Sequence, residues 1–268
     1  MLKKVKTLIP AFNINMGGIP LKQALPTTNV QQVDPFLLLH HGEIKYRKHG
    51  NAIHQGIGPH PHRGFSPVTF IIDGEIHHRD SRGNNQIAKK GEVQWMHAGM
   101  GIIHSERPSE CLASRNGVQE IIQLWINSPA EHKMKVPYYR HLSEVDIPVI
   151  VSEDNKITNK LIAGAFEGKK SILPTESELF ILWGTSEKNG EQTINIPNNY
   201  NTMLYLIKGS MRIKGYGLVD AENLLVFEKE NGAIAMSFSE DSQFLSPAKM
   251  CLRFSQCPIS CVAVLPNS

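Results

Sequence analysis

The chain of 268 residues holds only four cysteines, no long apolar run and no block of like charge. Cys111 stands alone, and Cys251, Cys257 and Cys261 crowd toward the end of the sequence. So few cysteines in a chain this long argue for reduced thiols over a disulfide framework. Their C-x5-C-x3-C spacing also departs from the short C-x2-C hooks of zinc sites. No stretch reaches the roughly 18 apolar residues of a membrane-spanning helix. Twenty-eight Lys and Arg against 25 Asp and Glu leave a net charge of +3 without a basic patch, which nominates neither nucleic acid nor a membrane surface as a direct partner. The opening residues Met1-Leu2-Lys3-Lys4-Val5 are basic but soon meet Pro10, Asn13 and Asn15, with no apolar stretch of signal-peptide length behind them. A cytoplasmic, monomeric protein is the expectation.

Helical periodicity is almost missing as well. The one short candidate is 128–133, with Ser128 as N-cap, Pro129 in the first turn and Glu131 completing a capping box. Apolar runs of strand length occur instead at 35–40, 67–72, 92–96, 118–126, 147–151, 179–183, 202–207, 223–227 and 233–238. Turn residues punctuate them about every ten positions, which predicts an all-β sandwich or barrel. The segment from Val68 to Ile76 echoes that from Met203 to Met211: each is an apolar strand, a polar-Gly turn and a second strand. With the length, this echo predicts two similar β-domains, 1–145 and 146–268.

Histidine is abundant and uneven. Ten of the twelve fall between His40 and His104, His132 and His141 follow, and none comes later. Any imidazole chemistry therefore belongs to the first domain. His60-Pro61-His62 is an i, i+2 pair, and His104-Ser105-Glu106 is a second. On a strand that spacing points both side chains to one face, roughly 6–7 Å apart along the chain. If the two strands pair, His60, His62, His104 and Glu106 converge. Three neutral imidazoles and a carboxylate suit iron, zinc, copper or nickel and leave coordination positions open. A lone H-x-H also occurs on polar surfaces; the matched second pair and the bracketing glycines favour metal.

The run His60-Pro61-His62-Arg63-Gly64-Phe65, then Gly74-x3-His78-Arg79-Asp80-Ser81-x-Gly83-Asn84, then Gly91-Glu92-Val93-Gln94-Trp95-Met96-x-Ala98-Gly99-x-Gly101-Ile102-x-His104-Ser105-Glu106, resembles the pirin family of bicupins. The likeness continues through Gln123-Leu124-Trp125-Ile126-Asn127 and covers roughly residues 30–245. It implies two stacked cupin (jelly-roll) barrels, with metal in the first barrel alone. His60, His62, His104 and Glu106 would be the ligands and Fe(2+) the usual metal, with Mn, Ni, Co, Cu and Zn as alternatives. General cupins take a Glu four or five residues after H-x-H, where this chain has Ser66 and Pro67; pirins take their carboxylate from the later strand. His97 is a departure, read as an outer hydrogen-bonding group of the metal or as filling of the barrel mouth. Beyond about residue 245 the sequence no longer follows the family.

The resemblance implies three roles. In the first, a quercetin 2,3-dioxygenase opens a small aromatic substrate, a flavonol, with Glu106 as catalytic base. In the second, an iron- or redox-dependent regulator binds a protein partner, a transcription factor or a metabolic enzyme. In the third, the metal only stabilises a storage or interaction protein.

Overall fold

Residues 1–46 and 51–250 are described by the computed structural model, and nearly all of their regular structure is antiparallel β-sheet. The chain divides into two units. The first is Phe12–Val145. Its larger sheet has seven strands in the spatial order Tyr138–Leu142, Val93–His97, Phe65–Asp73, Val118–Asn127, Phe36–Lys45, Ile19–Leu25 and Phe12–Met16. Its smaller sheet has four, ordered Ile57–His62, Ile102–Arg107, Glu75–Asp80 and Asn85–Lys89.

The second unit takes the chain from Asp146 onward and adds Met1–Ala11. The opening residues thus depart from the expected grouping of 1–145, because Val5–Pro10 is hydrogen-bonded antiparallel to Asn223–Phe227. This unit repeats the first sheet for sheet. Seven strands run Val5–Pro10, Asn223–Phe227, Tyr200–Lys208, Ser242–Met250, Leu179–Ser186, Ile157–Ala163 and Val149–Val151; four run Glu191–Ile196, Gly232–Phe238, Ser210–Ile213 and Gly217–Asp220.

The echo seen in the sequence is this repetition. Phe65–Asp73 turns through Gly74 into Glu75–Asp80, as Tyr200–Lys208 turns through Gly209 into Ser210–Ile213. Both glycines are left-handed, with φ +76° and +86°. A Cβ at Gly74 would collide with the Val118 carbonyl, and one at Gly209 with the Ser242 hydroxyl, so only glycine closes either turn.

The expected helix at 128–133 is one 3-10 turn, Ala130–His132, with Pro129 at its N-cap and no side-chain cap. Ser128 is buried, and its hydroxyl makes no hydrogen bond. The α-helix that does form is Glu110–Ser114, where the Ser109 hydroxyl accepts from the Leu112 N–H and Leu112 and Ala113 are buried. The departure from the family pattern beyond residue 245 leaves the strand Ser242–Met250 intact, paired on both sides. Cys251, Cys257, Cys261 and His49 lie outside the described residues, and Cys111 is a free, exposed thiol. Among the described residues no helix is long and apolar enough to cross a membrane.

The interiors of the two units differ in chemistry. In the second, Ile194, Ile196, Met211, Ile213, Ile234, Met236 and Phe238 of the smaller sheet join Leu182, Leu204, Leu206, Leu225 and Phe244 of the larger in one apolar core. In the first, the smaller sheet buries His62, His78, His104 and Glu106.

Candidate metal centre

Ile57–His62 is an edge strand of its sheet, so Pro59 and Pro61 cost no ladder hydrogen bond on the open side. It pairs with Ile102–Arg107 in a register that sets His60 opposite His104 and His62 opposite Ile102. The period of two puts His60 and His62 on one face, and the pairing brings His104 to them. Ring centroids lie 4.7 Å apart for His60 and His62, 4.4 Å for His60 and His104, and 4.9 Å for His62 and His104. One ring nitrogen from each of the three falls within 4.8 Å of the others. Among the described residues no second group of three His, Cys, Asp or Glu side chains converges in this way.

The hydrogen bonds choose the nitrogens. His60 Nδ1 lies 2.8 Å from the Gly58 carbonyl, which can only accept, so Nδ1 carries the proton and Nε2 the lone pair. His62 Nε2 and His104 Nε2 are buried without a hydrogen-bond partner. Burial, and then the neighbouring His60, push the His62 imidazole down to about 3. His104 is held well below the ordinary histidine value by burial and then by His60, His62 and His78. These two rings are therefore neutral near pH 7, the form that binds metal. A buried polar atom left unpaired costs about 1–3 kcal/mol. A divalent cation held by the three imidazoles would satisfy the two orphaned Nε2 atoms, so the donor set fits a borderline transition metal.

Glu106 is buried on the same strand but is not one of the converging group. Its two oxygens accept from Thr69 Oγ1 at 3.0 Å and from Gln123 Nε2 at 2.8 Å. Gln123 is held in turn by the Trp125 indole N–H, which donates to its Oε1 at 2.9 Å. Trp125 and Phe65, 4.6 Å apart by ring centroid, stand edge-on to His62 at 5.2 and 5.1 Å. Leu37 and Leu38 pack with them, giving the imidazoles an apolar and aromatic flank.

Several residues without a role in the motif reading border the site. His78 stacks on Tyr139 with ring centroids 4.2 Å apart. The buried Tyr139 hydroxyl has no hydrogen-bond partner, and its ionisation is pushed far up by burial and then by the charges of Glu106, Asp80 and Glu92. Both atoms of the Gln94 amide are likewise buried and unpartnered. Nothing in the spacing of Gln94, Gln123 or Tyr139 marks them; strand pairing brings them inward.

Other histidines are placed elsewhere. His97 follows Met96 on the strand and so faces the other way; it contacts Ser66 Oγ at 3.2 Å and stacks on Tyr138. It is not one of the converging imidazoles. His40 meets Gln23 Oε1 at 2.8 Å, and His41 pairs with Glu120 at 2.9 Å on the opposite face.

Strand for strand, the second unit presents Ile194 and Ile196 where the first has His60 and His62, and Ile234 where it has His104: Ile194 opposes Ile234 as His60 opposes His104. Those isoleucines offer no donor atom. An open concavity of about 790 Å³ in this unit is bordered by Glu153, Glu191, Arg212 and Lys214, with no histidine in its lining.

Two jelly-roll units of matching topology, one with a histidine cluster on its small sheet and one with an apolar interior, define a bicupin. The Pirin family model matches residues 18–126. Pirin-1 of Arabidopsis thaliana is 34% identical over 226 residues, which cover 83% of this chain and 74% of that protein. A quercetin 2,3-dioxygenase from Acinetobacter baumannii superposes with a TM-score of 0.85 at 29% identity, covering 93% of this chain and 88% of that one. The bacterial pirin YhhW of Escherichia coli, solved in complex with nickel(II), has a TM-score of 0.71 at 21% identity over 92% of this chain and 99% of its own, and shares the fold. The chain belongs to the pirin family.

Proposed function

We propose that this pirin is an iron-dependent dioxygenase that opens the central ring of a flavonol such as quercetin, acting as a cytoplasmic monomer. The observation that carries the reading is the trio of imidazoles, one ring nitrogen of each converging, beside a buried carboxylate and an aromatic flank. The likeness to the Acinetobacter quercetin 2,3-dioxygenase supports the substrate class.

His60, His62 and His104 hold the metal through Nε2, and Glu106 is the fourth ligand. Bound there, iron supplies Lewis acidity toward the flavonol oxygens and one-electron chemistry toward dioxygen. Glu106 also takes the proton of the flavonol hydroxyl; the Thr69 and Gln123 donors hold its carboxylate in place until substrate arrives. Phe65 and Trp125 pack against the aromatic rings and exclude water. The unpartnered Tyr139 hydroxyl and Gln94 amide bind the remaining hydroxyl groups of the substrate.

The test is elemental analysis of the purified protein, followed by quercetin absorbance under air with and without the metal found. Metal-dependent loss of the flavonol band is the expected result. Quercetin left untouched by protein loaded with ferrous, manganous, cobalt, nickel or cupric ions, together with capture of a transcription factor or metabolic enzyme that depends on iron oxidation state, would replace the enzyme reading with the regulatory one.

A further inference from the structure

Behind His104 runs a third i, i+2 pair, His78 and Asp80, on the strand Glu75–Asp80. The register sets Asp80 opposite His104 and His78 opposite Glu106, so all four side chains share the inward face. His78 Nε2 lies 3.1 Å from Asp80 Oδ2, and His78 Nδ1 lies 3.4 Å from His104 Nδ1. The side chains of His78 and Asp80 are almost wholly buried, with exposures of 2% and 0%. The same sheet thus lines up a carboxylate, an imidazole and the candidate ligand His104.

Proton bookkeeping along that line has one solution for neutral rings. Asp80 is an acceptor on every side: Oδ1 accepts the backbone N–H groups of Arg82 and Asn84 at 2.9 and 3.1 Å, and Oδ2 accepts the Asn84 side-chain amide at 2.8 Å. Three such donors leave Asp80 no role but carboxylate, so His78 Nε2 must carry the proton between them. A neutral His78 then bears its lone pair on Nδ1. The only atom His104 turns toward that lone pair is its own Nδ1, which must therefore be the protonated one. Its remaining nitrogen, Nε2, is buried and unpartnered, and is the one left to serve as a ligand beside His60 and His62.

We propose that Asp80 and His78 form a positioning relay that fixes the tautomer of His104, holding the proton on Nδ1 and the lone pair on Nε2 where the metal binds. The proposal rests on the metal reading for its purpose but not for its geometry, which belongs to the metal-free chain. His60 reaches the same tautomer by a cheaper device, the Gly58 carbonyl. His104 sits on an inner strand, paired on both sides, with its Nδ1 against another imidazole, so a backbone carbonyl is not at hand and a carboxylate acts through that imidazole instead. Outer hydrogen-bond partners of this kind typically carry about 10–100-fold in metal affinity.

The test uses the full chain labelled with 15N-histidine. Long-range 1H–15N correlation of the metal-free protein should show His104 as the Nδ1–H form and His78 as the Nε2–H form. Asp80→Asn keeps Oδ1 for the two backbone N–H groups but places an amide donor against His78 Nε2. His78 should then carry its proton on Nδ1 and drive that of His104 to Nε2. Zinc affinity, read by chelator competition, should fall about 10–100-fold with the same stoichiometry. His104 found as Nε2–H in the wild type, His78 found doubly protonated, or an Asp80→Asn variant with unchanged tautomers and unchanged zinc affinity would each overturn the relay. Absence of zinc binding in the wild type would overturn the metal reading instead, and the tautomer spectrum would still decide the relay. Should Asp80→Asn fail to fold, His78→Phe preserves the stack on Tyr139 and removes the acceptor; His104 should then populate the Nε2–H form and zinc affinity should fall likewise.

Discussion

Gln123 donates its side-chain amide to the Glu106 carboxylate at 2.8 Å while its own carbonyl oxygen accepts the Trp125 indole N–H at 2.9 Å. The second bond prevents the amide from flipping, so Glu106 always meets a donor. Replacing Gln123 with Leu strips a buried carboxylate of one of its two hydrogen bonds and leaves the indole N–H unpaired. A loss on the order of 2–3 kcal/mol is expected, read as a shift in denaturation midpoint. An unchanged midpoint would mean that water replaces the amide without cost.

Removing one imidazole leaves two nitrogens and the Glu106 carboxylate, one donor short of the proposed set. His62→Ala should abolish stoichiometric iron in the purified protein, measured against protein concentration. Full metal content in that variant would remove His62 from the ligand set.

In the second unit the equivalent positions are Ile194, Ile196 and Ile234, within an apolar core. The protein should bind one transition-metal ion per chain. A second equivalent that persists in a His60→Ala, His104→Ala double variant would show a site elsewhere.

Glu106→Gln separates binding from proton transfer. The amide keeps one oxygen, which can still accept one of the two hydrogen bonds that Thr69 and Gln123 now give to separate oxygens, but it loses the charge and the basicity. Metal content should fall modestly, while flavonol turnover should fall by the roughly 10²–10⁴-fold typical of a lost general base. Turnover within a few-fold of wild type would remove Glu106 from the proton path.

His40 supplies a pH dependence away from the metal. Burial lowers its imidazole from 6.5 to about 4. The unfolded chain therefore takes up this proton before the folded one does. Its contribution to stability is complete above about pH 6.5, declines as pH falls, and is fully lost below about pH 4, a change on the order of 3 kcal/mol. His40→Gln, which keeps a donor for Gln23, should flatten that part of the stability profile in urea titrations from pH 7 to 4. An unaltered slope would assign the acid sensitivity to other groups.

The strands at 67–72, 118–126, 179–183 and 202–207 were legible because each is a largely apolar run of strand length, and the repeated hairpin because only glycine closes its turn. The candidate ligands were legible because two residues on the same face of a strand are written at i and i+2 whatever the rest of the chain does. Sequence alone therefore determined an all-β protein with its imidazole chemistry in the first half. It did not determine how far the strands Ile57–His62 and Glu75–Asp80 run, because their inward faces carry histidine and aspartate where a pattern of apolar residues would mark a strand's extent. Nor did it place Met1–Ala11 in the second unit, since a strand's partner is chosen by hydrogen bonds across more than 200 residues. The line from Asp80 to His104, the support of Glu106 by Gln123 and the exclusion of His97 from the cluster all depend on register. A slip of one residue would turn every one of those side chains to the other face, so their roles were decided only when the sheets closed.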